Sequence, residues 1–190
     1  MSRLYPPRRS WRSWAWLTWP YNERSPAMKM LVVDPDRCIG CGLCEMACSF
    51  EHTGEFSRTT ARIRVYRWEK TCDAVPLVCY QCEDAPCIKV CGVAGAITRD
   101  AKTSAVVINR QLCIGCKLCM FHCPYGAIDF DGRARQLIKC DYCEGDPECV
   151  KYCSVKAITF SEPVAAGEFL KAMEAQRLRA SSKGPAAAVR

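Results

Sequence analysis

The chain has 190 residues, seventeen of them cysteine, and a formal net charge of +7. A charged fraction of 25% beside a hydrophobic fraction of 49% is ordinary for a globular protein and excludes wholesale disorder. No apolar run approaches the roughly 18 residues a membrane-spanning helix needs, so zinc-dependent nucleic-acid binding is the class that basic charge and clustered cysteines leave to be judged by spacing.

Residues 1–29 stand apart, with four of the five tryptophans and six basic residues against one acidic. Arg8-Arg9 suggests a twin-arginine export signal. Arg12 interrupts its apolar region, however, Ala15–Trp19 is too short, and no A-x-A cleavage site follows. The segment is expected to be a disordered extension, or sequence ahead of a start at Met28 or Met30, in a cytoplasmic protein. A strand at Leu31–Val33 then leads into Cys38, Cys41, Cys44 and Cys48, spaced C-x2-C-x2-C-x3-C. Arg62, Arg64 and Arg67 alternate with Ile63 and Val65, which predicts a strand whose polar face is solvated or meets a partner subunit. Cys72 has no partner and is expected to be a plain small side chain.

Cys79, Cys82, Cys87 and Cys91 follow as C-x2-C-x4-C-x3-C, then a strand at Ala96–Thr98 and another at Thr103–Ile108. Cys113, Cys116, Cys119 and Cys123 repeat the first spacing and run into Ala127–Phe130. Asp131-Gly132 signals a two-residue hairpin turn returning through Arg133–Ile138. The last group, Cys140, Cys143, Cys149 and Cys153, is C-x2-C-x5-C-x3-C and precedes Ala157–Phe160. Each unit reads as strand, cysteine loop, one helical turn, strand, and Ala-Ile recurs after the second, third and fourth groups. Residues 164–190 form a helix to about Leu178 with Ala166, Phe169, Leu170 and Met173 on one face, then a fraying tail. That face is expected to pack back on its own domain, or to dock on a catalytic subunit or a second copy of the chain.

An odd cysteine total and repeated C-x2-C steps argue against a disulfide framework. Structural zinc takes two C-x2-C pairs separated by a long knuckle. Here three cysteines share one tight loop, which suits the corners of a cubane, and the fourth points one helical turn away toward a neighbouring cluster. Four such groups predict four [4Fe–4S] clusters standing in for much of the apolar core, with a largely unfolded apoprotein. No G-x-S-x-G, G-x-G-x-x-G or P-loop is present, so the expected work is electron transfer rather than catalysis. His122, beside Cys123, could donate to a cluster sulfur, but packing beside the cluster or surface exposure is the expectation, and His52 is the other histidine. Basic charge resides in the ends, because 31–163 holds sixteen basic against seventeen acidic residues. The nucleic-acid class therefore loses its support.

The segments Cys38-Ile-Gly-Cys-Gly-Leu-Cys-Glu-Met-Ala-Cys48, Ser57–Val65, Cys79-Tyr-Gln-Cys-Glu-Asp-Ala-Pro-Cys87 and Lys139–Cys153 resemble four-cluster ferredoxin-type subunits of molybdenum and tungsten pterin oxidoreductases, CO dehydrogenases and some hydrogenases. They are most similar to the small subunit of tungsten-dependent aldehyde oxidoreductases. The resemblance covers about residues 30–162. It implies an α+β fold of two tandem, interleaved bacterial-ferredoxin-like dicluster halves within a domain spanning 30–163. It also implies a pairing of the first group with the fourth and the second with the third. Cys38, Cys41, Cys44 and Cys153 would hold one cluster, and Cys48, Cys140, Cys143 and Cys149 its neighbour. Cys79, Cys82, Cys87 and Cys123 would hold the third, and Cys91, Cys113, Cys116 and Cys119 the fourth. The implied partners are a tungsten or molybdenum pterin catalytic subunit and, as acceptor, a flavin/NAD subunit or ferredoxin. Gly92 and Ser154 depart from the family's proline, and their N–H groups are expected to face cluster sulfurs.

Overall fold

The computed structural model of the protein describes residues 29–182. The expectations for residues 1–28 and for the tail beyond Ser182 lie outside that range.

Four two-stranded antiparallel sheets carry the chain between its cysteine loops. β1 (Met30–Val33) pairs with β8 (Ile158–Ser161), Leu31 opposite Phe160, so the first described strand is completed by one near the far end of the sequence. β2 (Arg64–Trp68) and β3 (Asp73–Leu77) make a hairpin. β4 (Ile97–Arg99) with β5 (Val106–Ile108), and β6 (Ile128–Asp131) with β7 (Gln136–Lys139), make two more. Ile97, Ile128 and Ile158, each following the recurrent alanine, are all buried. Isoleucine at the first position of the strand is what lets so short an element hold a core.

Two of these elements differ from their sequence expectation because an aspartate captures the backbone. Asp131 Oδ1 accepts N–H bonds from Arg133 at 2.9 Å and Ala134 at 3.2 Å, and Asp131 pairs with Gln136, so residues 132–135 form a four-residue turn. Arg135, at φ 53°, rather than Gly132, takes the left-handed conformation. Asp100 does the same to Lys102 and Thr103, which delays β5 from Thr103 to Val106.

The helices are unequal. α2 (Pro86–Lys89), α3 (Leu118–Phe121) and α4 (Glu148–Lys151) are the single turns expected after a cysteine loop. α1 (Leu43–Thr53) instead runs eleven residues, because no alanine-isoleucine step follows Cys48 and the chain stays helical until Gly54. Gly54, at φ 70°, ends it by donating its N–H to the Phe50 carbonyl at 2.7 Å. α5 (Pro163–Ser182) extends beyond Leu178 and packs on β1, with Phe169 half-buried beside Val32 and Thr159 while Leu170 is exposed. No helix among the described residues is long and apolar enough to cross a membrane.

Buried side chains fall into two cores. One joins Leu31, Ala61, Ile63, Val65, Ala74, Val78, Ala157 and Ile158 to Cys44, Cys48, Cys149 and Cys153. The other joins Ala85, Ile97, Val106, Ile128 and Leu137 to Cys87 and Cys119.

Candidate metal centres

The loops that hold the cysteines are built from residues in left-handed conformations. Gly40, Gly42, Gly115, Lys117, Gln81, Ala85, Tyr142, Cys143 and Glu144 all have positive φ. Each such residue turns successive backbone units inward, which lets cysteines three residues apart aim at one point.

Cys38, Cys41, Cys44 and Cys153 line one small cavity, closed by Val65, Pro76, Ala157 and Ile158. Cys79, Cys82, Cys87 and Cys123 line a second, closed by Val106, Ile128 and Lys139. The other eight converge as well. Burial pushes the Cys149 thiol well up, and Cys140, Cys48, Cys143 and Cys44 lie close enough to push it further. Cys119 is pushed up to about 11 by burial and then by Cys113, Cys87, Cys116 and Cys91. Thiols of different groups also lie close enough to act on one another, Cys44 on Cys149, Cys79 on Cys140, and Cys87 on Cys119.

Such a donor set fits iron–sulfur chemistry. Burial raises Cys44 to about 12 and Cys143 to about 11, so as bare thiols these groups keep their protons. Soft, cationic iron would displace those protons and reward the convergence that otherwise sets thiolate against thiolate. All seventeen cysteines are free thiols. Arg62 Nε, a buried donor with no hydrogen-bond partner, lies in the same residue whose backbone N–H donates to Cys48 Sγ at 3.3 Å.

The recurrent alanines acquire a purpose here. Ala127 N–H donates to Cys123 Sγ at 3.4 Å and Ala157 N–H to Cys153 Sγ at 3.2 Å, each four residues on from its cysteine. After Cys91 the repeat is one residue longer, and Ala96 N–H goes to the Val93 carbonyl instead. The N–H of Arg62 reaches Cys48 Sγ as those of Ala127 and Ala157 reach theirs.

The arginines of β2 and of the residues leading into it are paired within the chain, although Arg67 remains exposed. Arg67 Nη2 meets Glu45 Oε2 at 3.0 Å, Arg58 Nε meets the same oxygen at 3.2 Å, and Val65 N–H donates to Glu45 Oε1 at 3.0 Å. Arg64 pairs with Asp129 at 3.0 Å, and Arg62 pairs with Asp141. Against the push of burial, Arg62 holds the Asp141 carboxyl below its usual range. The alternation was legible in the sequence. The acids it serves were not, because they lie as far as 79 residues away.

The two histidines stand differently toward the thiols, and the exposure expected for His122 is what the structure shows. His122 is exposed and its Nδ1 lies 3.0 Å from the Leu118 carbonyl. His52 is half-buried, with Nε2 3.7 Å from Cys143 Sγ and 3.6 Å from Asp141. Burial and Arg62 lower its pKa to about 4. Position +4 after Cys48 on a three-turn helix brings it there, and a one-turn helix would not. Cys72 is an exposed residue at φ 58° in the β2–β3 turn and lines an open groove together with Cys38.

Comparison with known proteins gives a uniform result. The 4Fe-4S dicluster domain family matches residues 70–163, and the 4Fe-4S binding domain family matches residues 31–51. The polyferredoxin-like subunit of an aliphatic sulfonate oxidoreductase from Pyrococcus furiosus is 39% identical, across 65% of this chain and 70% of that protein. Formate hydrogenlyase subunit 2 of Escherichia coli is 36% identical, across 68% of this chain and 80% of its own length. The beta subunit of an NADH-dependent phenylglyoxylate dehydrogenase from Aromatoleum evansii is 35% identical over 67% of this chain and 29% of that protein.

Proposed function

This chain belongs to the ferredoxin-type family of 4Fe-4S dicluster proteins and carries [4Fe–4S] clusters, and from that premise we propose that it is the electron-transfer subunit of an oxidoreductase complex. When bound, a [4Fe–4S] cluster takes up and returns one electron at a time.

The ligand sets we propose are Cys38, Cys41, Cys44 with Cys153; Cys48 with Cys140, Cys143 and Cys149; Cys79, Cys82, Cys87 with Cys123; and Cys91 with Cys113, Cys116 and Cys119. The single observation that carries this reading is that two cavities are lined by four cysteines apiece, each drawing three from one group and the fourth from another. The thiol neighbours of Cys149 and Cys119 support the remaining two sets. Residues of the chain do three things for such clusters: they supply sixteen thiolates, aim N–H groups at Cys48, Cys123 and Cys153, and surround the sulfurs with apolar side chains that exclude water. The catalytic partner in this proposal is a tungsten or molybdenum pterin subunit that oxidises aldehydes, and the acceptor is a flavin/NAD subunit or ferredoxin. Its support is the wording of the cysteine motifs, and the similarity to subunits of other oxidoreductases supports a redox partner in general.

Iron and sulfide analysis of anaerobically purified protein should give about sixteen irons per chain. Cys48→Ser should alter the EPR signal that Cys140→Ser also alters and leave the Cys41→Ser signal alone. Coupling of Cys48 with Cys41 instead would overturn the pairing.

A further inference from the structure

One side chain at the meeting of the two halves carries a charge with no opposite charge against it. Lys139, the last residue of β7, is 5% exposed. Its ammonium donates to Gln81 Oε1 at 2.8 Å, the Val106 carbonyl at 2.6 Å and the Cys140 carbonyl at 3.3 Å. All three acceptors are neutral. Among the described residues no carboxylate reaches Lys139 as an ion pair, whereas Arg58, Arg62, Arg64 and Arg67 each have one. A buried cation without a countercharge is costly, so its persistence asks where the negative charge lies.

The surroundings answer that. Lys139 lines the cavity of Cys79, Cys82, Cys87 and Cys123 and is joined by one peptide bond to Cys140. Gln81, lying between Cys79 and Cys82, holds the arrangement shut: it accepts Val106 N–H at 2.8 Å and donates to the Cys140 carbonyl at 2.8 Å. One ammonium is thereby pinned between the second cysteine loop and the first cysteine of the fourth group.

We propose that Lys139 is the fixed countercharge of the two inner clusters and holds their reduction potentials above those of the outer two. The inference rests on the sixteen-cysteine ligand assignment. Reduction adds one negative charge, and a cation a few ångströms away in a weakly polarisable interior stabilises it far more than one a cluster further off. Lys139 places that charge at the middle of the chain, between the second cysteine loop and Cys140. Gln81 is the positioning residue, fixing the ammonium between the two thiol sets.

EPR-monitored redox titration of anaerobically purified holoprotein tests this in two variants. Lys139→Met should lower two of the four midpoints by at least a tenfold fall in reduced-to-oxidised ratio at fixed potential, 59 mV for a one-electron couple, and leave two unmoved. Gln81→Glu keeps the lysine but sets a carboxylate against it, and should move the same two signals in the same direction. An unchanged titration in both variants, or an equal shift of all four signals, overturns the proposal. If Lys139→Met loses iron, the outcome in Gln81→Glu decides alone. A low iron count in the unsubstituted protein would instead indict the ligand assignment.

Discussion

The two halves of the molecule hold equal numbers of grouped cysteines and support them by different means. The half built on the first and fourth groups has an eleven-residue helix, the β2–β3 hairpin and a set of arginine–carboxylate pairs centred on Glu45 and Asp141. The half built on the second and third groups has one-turn helices, two short hairpins and a smaller core around Ile97, Val106, Ile128 and Leu137. The first kind of half possesses a conventional core and ion pairs that exist without metal. The second depends more heavily on what its thiols bind.

Removal of iron should break this comparison most forcefully. Stripping the metal with a chelator under anaerobic conditions is expected to cost the chain most of its ordered structure. Hydrogen exchange followed during the stripping should lose protection at Ile97, Val106 and Ile128 before Ile63 and Val65. Simultaneous loss everywhere would mean the extra core does not matter. Glu45→Ala comes next. It removes a fully buried carboxylate that receives Arg58, Arg67 and the Val65 N–H. The cost should be about 3 kcal/mol, read as a lower urea midpoint in holoprotein, with the signals of the Cys87 and Cys119 sets unaltered. A loss below about 1 kcal/mol would show the network to be ornamental. Gly42→Ala should have the smallest effect, about 1–2 kcal/mol for placing a side chain in a left-handed conformation. Gly42 sits at φ 78°, and an added Cβ would meet Arg67 Nη2 at 2.7 Å. Compared with Arg67→Ala alone, which already lacks the Glu45 pair, adding Gly42→Ala should then cost only the backbone strain.

How much of this was legible follows from range. The sixteen grouped cysteines, the short strands after Ala96, Ala127 and Ala157, and the α5 helix are local patterns, and each element lies within a few residues of its expected place. Turn details failed where a single aspartate captured the following backbone, as at Asp131 and Asp100. The length of α1 was missed because the repeat invited every unit to be read alike, although Cys48 alone lacks the alanine-isoleucine step. β3 was missed because Pro76 hides a strand signal, and it is tolerated there at the edge of a two-stranded ribbon. The partners of Arg62, Arg64 and Lys139 were out of reach, because an ion pair or a hydrogen bond across the fold leaves no mark of period or spacing. The purpose of the recurrent alanine could have been found by asking what stands four residues beyond each last cysteine.

The pairing of β1 with β8 has a consequence for how the protein is made. Leu31 waits for Phe160, and the cavity of Cys38, Cys41 and Cys44 waits for Cys153. Every strand and cysteine of the other half lies between Cys79 and Lys139, so that half is complete on a ribosome before the first can close. At about 5–20 residues per second the nascent first group spends seconds as three or four exposed thiols. The metal-dependent half is thus ready for loading while the sturdier half is still unfinished, and the last strand seals the chain around a core already in place.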